Sequence, residues 1–341
     1  MVEAAGSGHP GLPLGAAPIL YALWDRFLRF DPDEPAWPDR DRFVLSAGHG
    51  SALLYAALHL YGYDLPVDEL RRFRQWGSRT PGHPEYELAP GVECTTGPLG
   101  QGLAAAVGMA AAAAHLRARL GPAGEDLVDH RTFVLASDGD MMEGIGNEAV
   151  SLAGTFGLGR LVVLYDDNGI SIEGSTSLAF TEDVEARFRA LGWGVERVAD
   201  GTDVDRIAGA IERACEDADR PSLVAVRTRI GFGSPRENTA AAHGEPLGPE
   251  ASAETKRALG WPAEPAFHVP AEARAHAAEA AARGRDLRRR WRERVERLEQ
   301  AGGGAARLFR ETIGGEPPSA DSPAPLFAAG ERIATRSASG T

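Results

Sequence analysis

The sequence predicts an α/β fold: a doubly wound parallel sheet with helices on both faces. Two short apolar, β-prone runs, Thr132–Ala136 and Leu161–Tyr165, enclose Glu143–Phe156, where apolar residues recur at helical spacing. This is one βαβ unit, so its two strands should be parallel neighbours. Strands and helices alternate on either side of this unit, which favours a doubly wound sheet.

The remaining elements follow the same alternation along the chain. Strands are predicted at Arg42–Ser46, Gly194–Val198 and Ser222–Thr228. Helices are predicted at Ile19–Leu28, Ala52–Tyr61, Leu65–Trp76, 101–120, Thr181–Leu191 and Asp203–Ala218. Gly231–Pro270 is expected to be a long polar connection, Glu272–Gln300 a helix and Gly302–Pro325 a linker. We therefore expect a binding domain over 1–270, a helical extension over 271–301 and a linker and tail over 302–341.

Composition narrows the classes of partner. The formal net charge of −13 gives no general attraction for nucleic acid or an anionic membrane. The longest apolar run, Leu103–Ala114, is too short to span a bilayer, and the first residues lack the pattern of a signal peptide. Cys94 and Cys215 lie far apart in sequence, without metal-ligand spacing. We expect reduced thiols and a cytoplasmic protein.

Polar turns follow both strands of the central unit. Asp138, Gly139 and Asp140 follow the first strand, and Asn168 with Gly169 follows the second. Ligands of open parallel sheets bind beyond the carboxyl ends of the strands, so these turns should meet. Their hard oxygen atoms suit Mg²⁺ or Ca²⁺, with phosphate oxygens of a ligand completing the shell. Either turn alone could be an ordinary turn, because Asp, Asn and Gly are common in turns. The two turns together, on consecutive strands of one βαβ unit, favour a site for a metal and a diphosphate.

The sequences of these turns, SDGDMMEG followed by YDDNGISIEG, resemble those of transketolase, including its thiamine diphosphate motif. SGHPG, SAGHGS, TPGHPE, GPLGQG, HGEPLG, IGFGSP and ATRSAS resemble further segments of that family, in the N-terminal half only. Ser137 departs from the motif, which has glycine there; a positive φ at this position would make serine costly. Pyruvate-dehydrogenase-type and deoxyxylulose-phosphate synthase proteins would share Asp138 and Asn168, but not the histidine loops at His9, His49 and His83.

The resemblance implies a role for individual residues. The metal would be held by Asp138, Asn168 and the Ile170 carbonyl. The cofactor, thiamine diphosphate, would be held by His49, Gly97, Pro98, Leu99, Gly139, Asn168 and His243. The substrate would be bound by His9, His83, His243 and Arg336. The catalytic set would be His9, His243 and Glu143, the last at a subunit interface. For each histidine the alternative is an ordinary loop residue, and a solvated side chain is the alternative for Arg336.

The implied chemistry is two-carbon ketol transfer between ketose and aldose phosphates. No segment resembles the pyrimidine-binding domain, so we expect the N-terminal subunit of a split, oligomeric enzyme that needs a partner chain. That chain would carry the pyrimidine-binding and C-terminal domains. The alternative is a non-catalytic or degenerate module that binds thiamine diphosphate. A ketolase that resembles dihydroxyacetone synthase, with a different acceptor, is a third possibility.

Overall fold

The computed structural model describes residues 1–315, 327 and 330–339, with no side chain described at 339. The chain divides into two units, Met1–Val295 and Glu296–Thr341. The predicted domain boundaries after residues 270 and 301 stay predictions. Of the predicted linker Gly302–Pro325, the part from residue 316 onward lies outside the described residues.

Five parallel strands form one sheet in the first unit. They are β1 (Arg42–Leu45), β2 (Thr132–Ser137), β3 (Leu161–Asp167), β4 (Gly194–Val198) and β5 (Ser222–Arg227), in the order β1-β2-β3-β5-β4. The predicted pairing of β2 with β3 is confirmed, and Ser137 lies opposite Asp166 at the ends of these strands. The two polar turns therefore leave the sheet side by side.

Helices connect the strands. They are α1 (Val2–Ala5), α2 (Gly11–Arg26), α3 (Ser51–Leu60), α4 (Val67–Arg71), α5 (Gln101–Leu120), α6 (Pro122–Leu127), α7 (Asp138–Met142), α8 (Gly144–Phe156), α9 (Val184–Ala190), α10 (Val204–Glu216), α11 (Pro249–Ala258), α12 (Ala271–Ala301), α13 (Gly303–Thr312) and α14 (Thr335–Ser339). Single 3₁₀ turns occupy Gly48–Gly50, Thr176–Leu178 and Ala240–Ala242. Among the described residues, no helix combines the length and apolar character that a bilayer crossing needs.

Helices cover both faces of the sheet, which confirms the predicted fold class. Alternate residues of one strand point to opposite faces, so Phe133 and Val134 belong to different cores. One core joins the sheet to α2, α3 and α10, and the other joins it to α5, α8 and α9. The central strands β2, β3 and β5 are largely apolar on both faces, as expected for a parallel sheet buried between helices.

Three local predictions were wrong. The helix expected over Leu65–Trp76 is only α4, because Arg74 adopts a left-handed φ of 62° and its N–H donates to the Thr80 carbonyl instead. The connection Gly231–Pro270 contains α11, and the linker Gly302–Pro325 contains α13. Both helices begin next to glycine, whose frequency in these segments was interpreted as a sign of irregular structure.

The long helix α12 packs on the first unit over most of its length. The Trp291 indole N–H donates to the Leu127 carbonyl over 3.0 Å, and Arg288 pairs with buried Asp31 over 2.5 Å. Its other arginines are mostly exposed and alternate with acids, which is typical of a solvated helix face.

Candidate active site

The two polar turns meet at the carboxyl edge of β2 and β3. Asp138 is only 4% exposed, and its Oδ2 accepts the backbone N–H of Gly169 over 3.0 Å. Its Oδ1 accepts the Tyr165 hydroxyl over 2.5 Å. Residues 31 positions apart are thus joined by a direct hydrogen bond. The predicted convergence of these turns is present in the structure.

Asn168 is held in one orientation. Its Nδ2 donates to Asp166 Oδ2 over 2.9 Å, and its Oδ1 accepts the Ile170 N–H over 2.9 Å. Asp166 is itself buried and accepts the Thr228 hydroxyl on its other oxygen. The amide nitrogen is engaged by a carboxylate, and the amide oxygen keeps a second lone pair beside its bond from Ile170.

The electrostatics of this edge favour a cation. Burial raises the pKa of Asp138 to about 6, although the bonds from Tyr165 and Gly169 act in the opposite direction. Burial also raises the pKa of Asp166 to about 7, against the bonds from Thr228 and Asn168. The bonds from neutral donors and the attraction of Arg227 do not offset burial, so the charged form of Asp138 is poorly stabilised and a divalent cation would stabilise it.

The donor set is sparse. Within the described residues, no group of three or more histidine, cysteine, aspartate or glutamate side chains is arranged to hold a metal. One carboxylate, one amide oxygen and the Ile170 carbonyl are hard ligands that fit Mg²⁺ or Ca²⁺ only if phosphate oxygens or water complete the shell. A cavity of about 550 Å³ is lined by Asn168, Gly169 and Ile170 together with Arg227 and Arg229, but its lining does not include Asp138 or Gly139.

A third buried carboxylate, that of Asp140, joins three loops. Asp140 Oδ1 accepts the Ser46 hydroxyl over 2.6 Å and the Gly100 N–H over 2.8 Å. Asp140 Oδ2 accepts the Ser137 N–H over 2.8 Å and its hydroxyl over 3.2 Å. We call Ser46, Gly100, Ser137 and Asp140 the Asp140 hub. It fixes the loops after β1 and β2 to the loop that opens α5.

The sequence analysis did not assign a role to the Asp140 hub, nor to Tyr165 or Asp166. One local signal was available. Serine followed three positions later by a carboxylate, as in Ser137 and Asp140, is the pattern of a capping box, and α7 begins with that motif. The partners Ser46 and Gly100 come from remote segments and give no such local signal.

The backbone conformation at Ser137 does not require glycine. Its φ of −121° and ψ of 176° are extended and open to every residue. Serine therefore costs no backbone strain here, and its hydroxyl contributes to the Asp140 hub. The positive φ considered for this position is absent.

Small residues allow close approach at the same edge. A Cβ on Gly139 would lie 2.6 Å from Leu99 Cδ1, so the loop Gly97–Leu99 rests directly on the turn of Asp138. Gly97, with φ +150°, contacts the His83 ring. Glu143 is exposed at the start of α8, and its Cβ would be 2.8 Å from a Cβ on Gly100. Pro98 is exposed beside them.

Four histidines from four separate segments form one group. We call His9, His49, His83 and His243 the histidine cluster. Ring centroids of His9 lie 5.3 Å from His49, 6.3 Å from His83 and 5.5 Å from His243. His49 and His243 are 5.1 Å apart. In the described part of the chain, the buried His9 Nδ1 has no hydrogen-bond partner.

The histidine cluster is neutral near pH 7. Burial and the neighbouring rings lower the pKa of His9 to about 4 and that of His49 to about 3. Burial also lowers the pKa of His83 and of His243, and Arg74 adds to the effect at His9 and His83. Neutral imidazoles both donate and accept hydrogen bonds, so this group suits a polar ligand rich in hydroxyls.

Arg336, predicted to bind substrate, lies on α14 in the second unit, where it is exposed. Its predicted role stays a prediction.

The parallel sheet, the joined turns and the histidine cluster define an α/β domain of the kind that binds a diphosphate cofactor at the carboxyl edge of its strands. The chain belongs to the family of the transketolase thiamine diphosphate binding domain, whose model matches residues 1–318.

Known transketolases are similar to this chain over almost all of its length. It is 50% identical to that of Halalkalibacterium halodurans, over 99% of this chain and 51% of that protein. It is 54% identical to that of Streptococcus pyogenes, over 86% of this chain and 40% of that protein. The solved transketolase of Leishmania mexicana matches with a TM-score of 0.91 and 43% identity, covering 94% of this chain and 48% of that one.

The chain spans about half the length of the curated relatives it matches. A transketolase from Pichia stipitis, solved in complex with sedoheptulose 7-phosphate, has the same proportion: 98% of this chain and 50% of that chain, with a TM-score of 0.91 and 44% identity.

Proposed function

We propose that this chain forms the diphosphate- and metal-binding part of a transketolase active site and takes part in two-carbon ketol transfer between sugar phosphates. The observation that carries the proposal is the joining of Asp138 to the Asn168 turn through the Gly169 N–H, at 3.0 Å. Two of the proposed metal ligands, Asn168 and Ile170, also line a cavity of about 550 Å³. The family match and the transketolase relatives support the same function.

In this proposal the cation is Mg²⁺ or Ca²⁺, held by Asp138, Asn168 and the Ile170 carbonyl. Only one of these groups carries a full charge, so a diphosphate must supply the remaining anionic ligands. Metal and cofactor would then bind together, each weakly without the other. The hydrogen bond from Asn168 Nδ2 to Asp166 supports this assignment, because it orients the amide so that its oxygen is available to the metal.

The cofactor would be thiamine diphosphate, which when bound supplies a carbon nucleophile that accepts the two-carbon ketol unit. His49, His243 and the backbone at Gly139 would hold its diphosphate. The loop of Gly97, Pro98 and Leu99 would hold its rings, and the contact of Leu99 with Gly139 supports that placement.

The proposed substrates are ketose and aldose phosphates. His9, His83 and His243 would bind their hydroxyl and phosphate oxygens, and His9 and His243 would move protons at the reacting carbonyl. Neutral imidazoles separated by 5.5 Å between centroids can bridge hydroxyl groups of one chain. The unpartnered His9 Nδ1 within the described residues supports a ligand contact there. Arg336 would contribute a charge-assisted bond to the phosphate. The sugar phosphates in solved Pichia stipitis transketolases support this substrate class.

The pyrimidine-binding and C-terminal domains are proposed to be carried by a partner chain, in a split, oligomeric enzyme. Glu143 is exposed beside Ile145, which is 38% exposed, and it would contact the partner's pyrimidine-binding domain. We also propose a cytoplasmic location, because Cys94 and Cys215 form no disulfide.

Calorimetry of the chain with thiamine diphosphate and Mg²⁺ tests the binding proposal. Asp138→Ala should abolish metal-dependent binding, since it removes the charged ligand. Asp167→Ala removes a neighbouring carboxylate that pairs with Arg197 and Arg227 instead, so it is a matched control that should bind. Equal binding by wild type and Asp138→Ala would refute the assignment.

A ketolase assay tests the catalytic part. Xylulose 5-phosphate and ribose 5-phosphate are supplied to the chain alone, and to the chain mixed with the pyrimidine-binding polypeptide of the same genome. Activity only in the mixture is the expected result. Cofactor binding without activity in either sample would favour a non-catalytic thiamine diphosphate module.

A further inference from the structure

A separate polar cavity lies at the opposite edge of the sheet, where the strands begin. Its volume is about 240 Å³, and its polar lining comes from Arg117 of α5, Glu125 of α6, His130, Thr132 of β2 and Arg160. Thr132 and Ser137 are the two ends of β2, so about 3.3 Å per residue puts roughly 17–20 Å between this cavity and Asp138. The proposed cofactor site does not use any of these side chains.

Two guanidinium groups border the cavity. Arg117 Nε donates to the Val128 carbonyl over 2.7 Å, but its Nη2 is buried and has no hydrogen-bond partner within the described residues. Arg160 is paired with Asp129 over 2.5 Å and donates to the Asp129 carbonyl over 2.9 Å. A buried donor without a partner is costly, so this corner of the cavity favours an acceptor.

The charges around Arg117 point to an anion rather than to water alone. After burial, the largest effect on the pKa of Arg117 is repulsion by Arg160, and it lowers that pKa; attraction by Glu125 and Asp129 is weaker. In the described structure Glu125 is exposed and forms no ion pair with Arg117. His130 Nδ1 faces Asp39 Oδ1 at 3.4 Å, which leaves its other nitrogen on the side away from Asp39.

We propose that this cavity binds a phosphate group, either inorganic phosphate or the phosphate of a small phosphomonoester. Phosphate matches the lining because two guanidinium groups from different segments, Arg117 and Arg160, border the cavity together with Thr132. A tetrahedral dianion can accept from all of them, whereas a carboxylate offers two oxygens in one plane. The volume of the cavity limits the ligand to a small one.

The test is titration of the whole chain with inorganic phosphate at constant ionic strength, followed by calorimetry and thermal unfolding. Glycerol 3-phosphate forms a second arm that separates free phosphate from a phosphomonoester, and acetate is the control for a general anion effect. Saturable binding is expected with phosphate but not with acetate. The unfolding midpoint should rise by about 2–4 °C at ten times the Kd.

Paired variants locate the binding. Arg117→Gln should weaken phosphate binding about tenfold or more, because it removes a charge-assisted hydrogen bond. Arg119→Gln, an exposed site on the same helix with the same change in charge, should leave it unchanged. Asp138→Ala should also leave it unchanged, which separates this cavity from the proposed cofactor site. Glu125→Gln should tighten binding about twofold to fivefold, since it removes a repulsive charge.

Ala113→Leu fills the cavity without altering charge and should weaken binding even if Arg117→Gln fails to fold. The proposal is overturned if phosphate shows no saturable binding, or if Arg117→Gln and Arg119→Gln bind it equally. Loss of phosphate binding in Asp138→Ala would also overturn it, because binding would then belong to the carboxyl edge.

Discussion

The two edges of the sheet use buried aspartates in different ways. At the edge where β1 and β2 begin, Asp41 pairs with Arg29 over 3.3 Å, and Asp39 accepts the N–H groups of Asp129 and His130 over 2.6 and 2.9 Å. Opposite charges there largely neutralise each other. At the edge where the strands end, Asp167 pairs with Arg197 and Arg227, but the buried carboxylates of Asp138, Asp140 and Asp166 accept hydrogen bonds from neutral donors. The aspartates of the first edge thus stabilise the fold, whereas Asp138 at the second edge keeps a negative charge available for a ligand.

The largest effects that distinguish the two edges are expected when one buried aspartate is removed from each. Asp140→Ala and Asp39→Ala should each lower the free energy of unfolding by about 2–4 kcal/mol, because each leaves buried N–H groups without an acceptor. Only Asp140→Ala should also weaken cofactor binding by the folded protein, since it frees the Gly100 loop and the Ser137 turn. Urea unfolding and calorimetry measure the two effects. Equal loss of cofactor binding in both variants would contradict the proposed division between the edges.

Lowering the pH is expected to have a smaller effect on the free energy of unfolding. The unfolded chain protonates its histidines near pH 6.5, but His9 resists protonation until about pH 4 and His49 until about pH 3. The unfolded state therefore binds more protons in this window. Stability from the histidine cluster is complete above pH 6.5 and falls as the pH drops toward 4. His83, His243 and Arg74 face the same group and act in the same direction.

Urea unfolding at several pH values between 7 and 4.5 checks this dependence. The double variant His9→Gln, His49→Gln should show a flatter loss of stability than wild type. His115→Gln, at an exposed site on α5, is the control and should follow wild type. An unchanged slope in the double variant would show that the acid sensitivity arises elsewhere.

Tyr165→Phe should have a modest effect on the carboxyl edge. The variant removes the 2.5 Å bond to Asp138 Oδ1 but keeps the packing of the ring. We expect thiamine diphosphate binding with Mg²⁺ to weaken about threefold to tenfold, which corresponds to one hydrogen bond that orients the carboxylate. Calorimetry at saturating Mg²⁺ measures it. Binding as weak as in Asp138→Ala would mean that the tyrosine does more than orient its neighbour.

The smallest effect is expected from Ser137→Gly, which restores the glycine of the thiamine diphosphate motif. The backbone at Ser137 is extended, so glycine relieves no strain and loses a hydrogen bond to Asp140. Stability should fall by about 1 kcal/mol, with no gain in cofactor affinity. Thermal unfolding and calorimetry check both parts. A tenfold gain in affinity would mean that the serine side chain obstructs the ligand.

Sequence alone predicted the features that depend on local pattern. Strand and helix periodicity predicted the β2–α8–β3 unit, and its parallel pairing brought Asp138 and Asn168 together. The family motifs named the four histidines of the cluster, in which three rings lie 5.3–6.3 Å from the His9 ring, although their roles remain proposals.

Features that depend on remote partners were not predictable. Asp140 looked like one more turn residue, because Ser46 and Gly100 reach it only after folding. The end of α4 was missed because the left-handed Arg74 is held by the Thr80 carbonyl, six residues further on. Propensity describes a residue and its neighbours, and it is overridden where tertiary bonds decide the backbone.

The Asp140 hub limits how transketolase-like domains can be recombined. Ser46 and Asp140 are 94 positions apart, yet both must be present for the loop at Gly100 to keep its shape. A chimera could take the loop after β1 from a relative and keep the turn after β2 from this chain. The hydroxyl donor at position 46 and the Asp140 carboxylate would then come from different proteins, and their hydrogen bond could be lost. Crossover points placed between these segments should therefore give poorly folding hybrids, and exchanges that carry the whole hub should be tolerated.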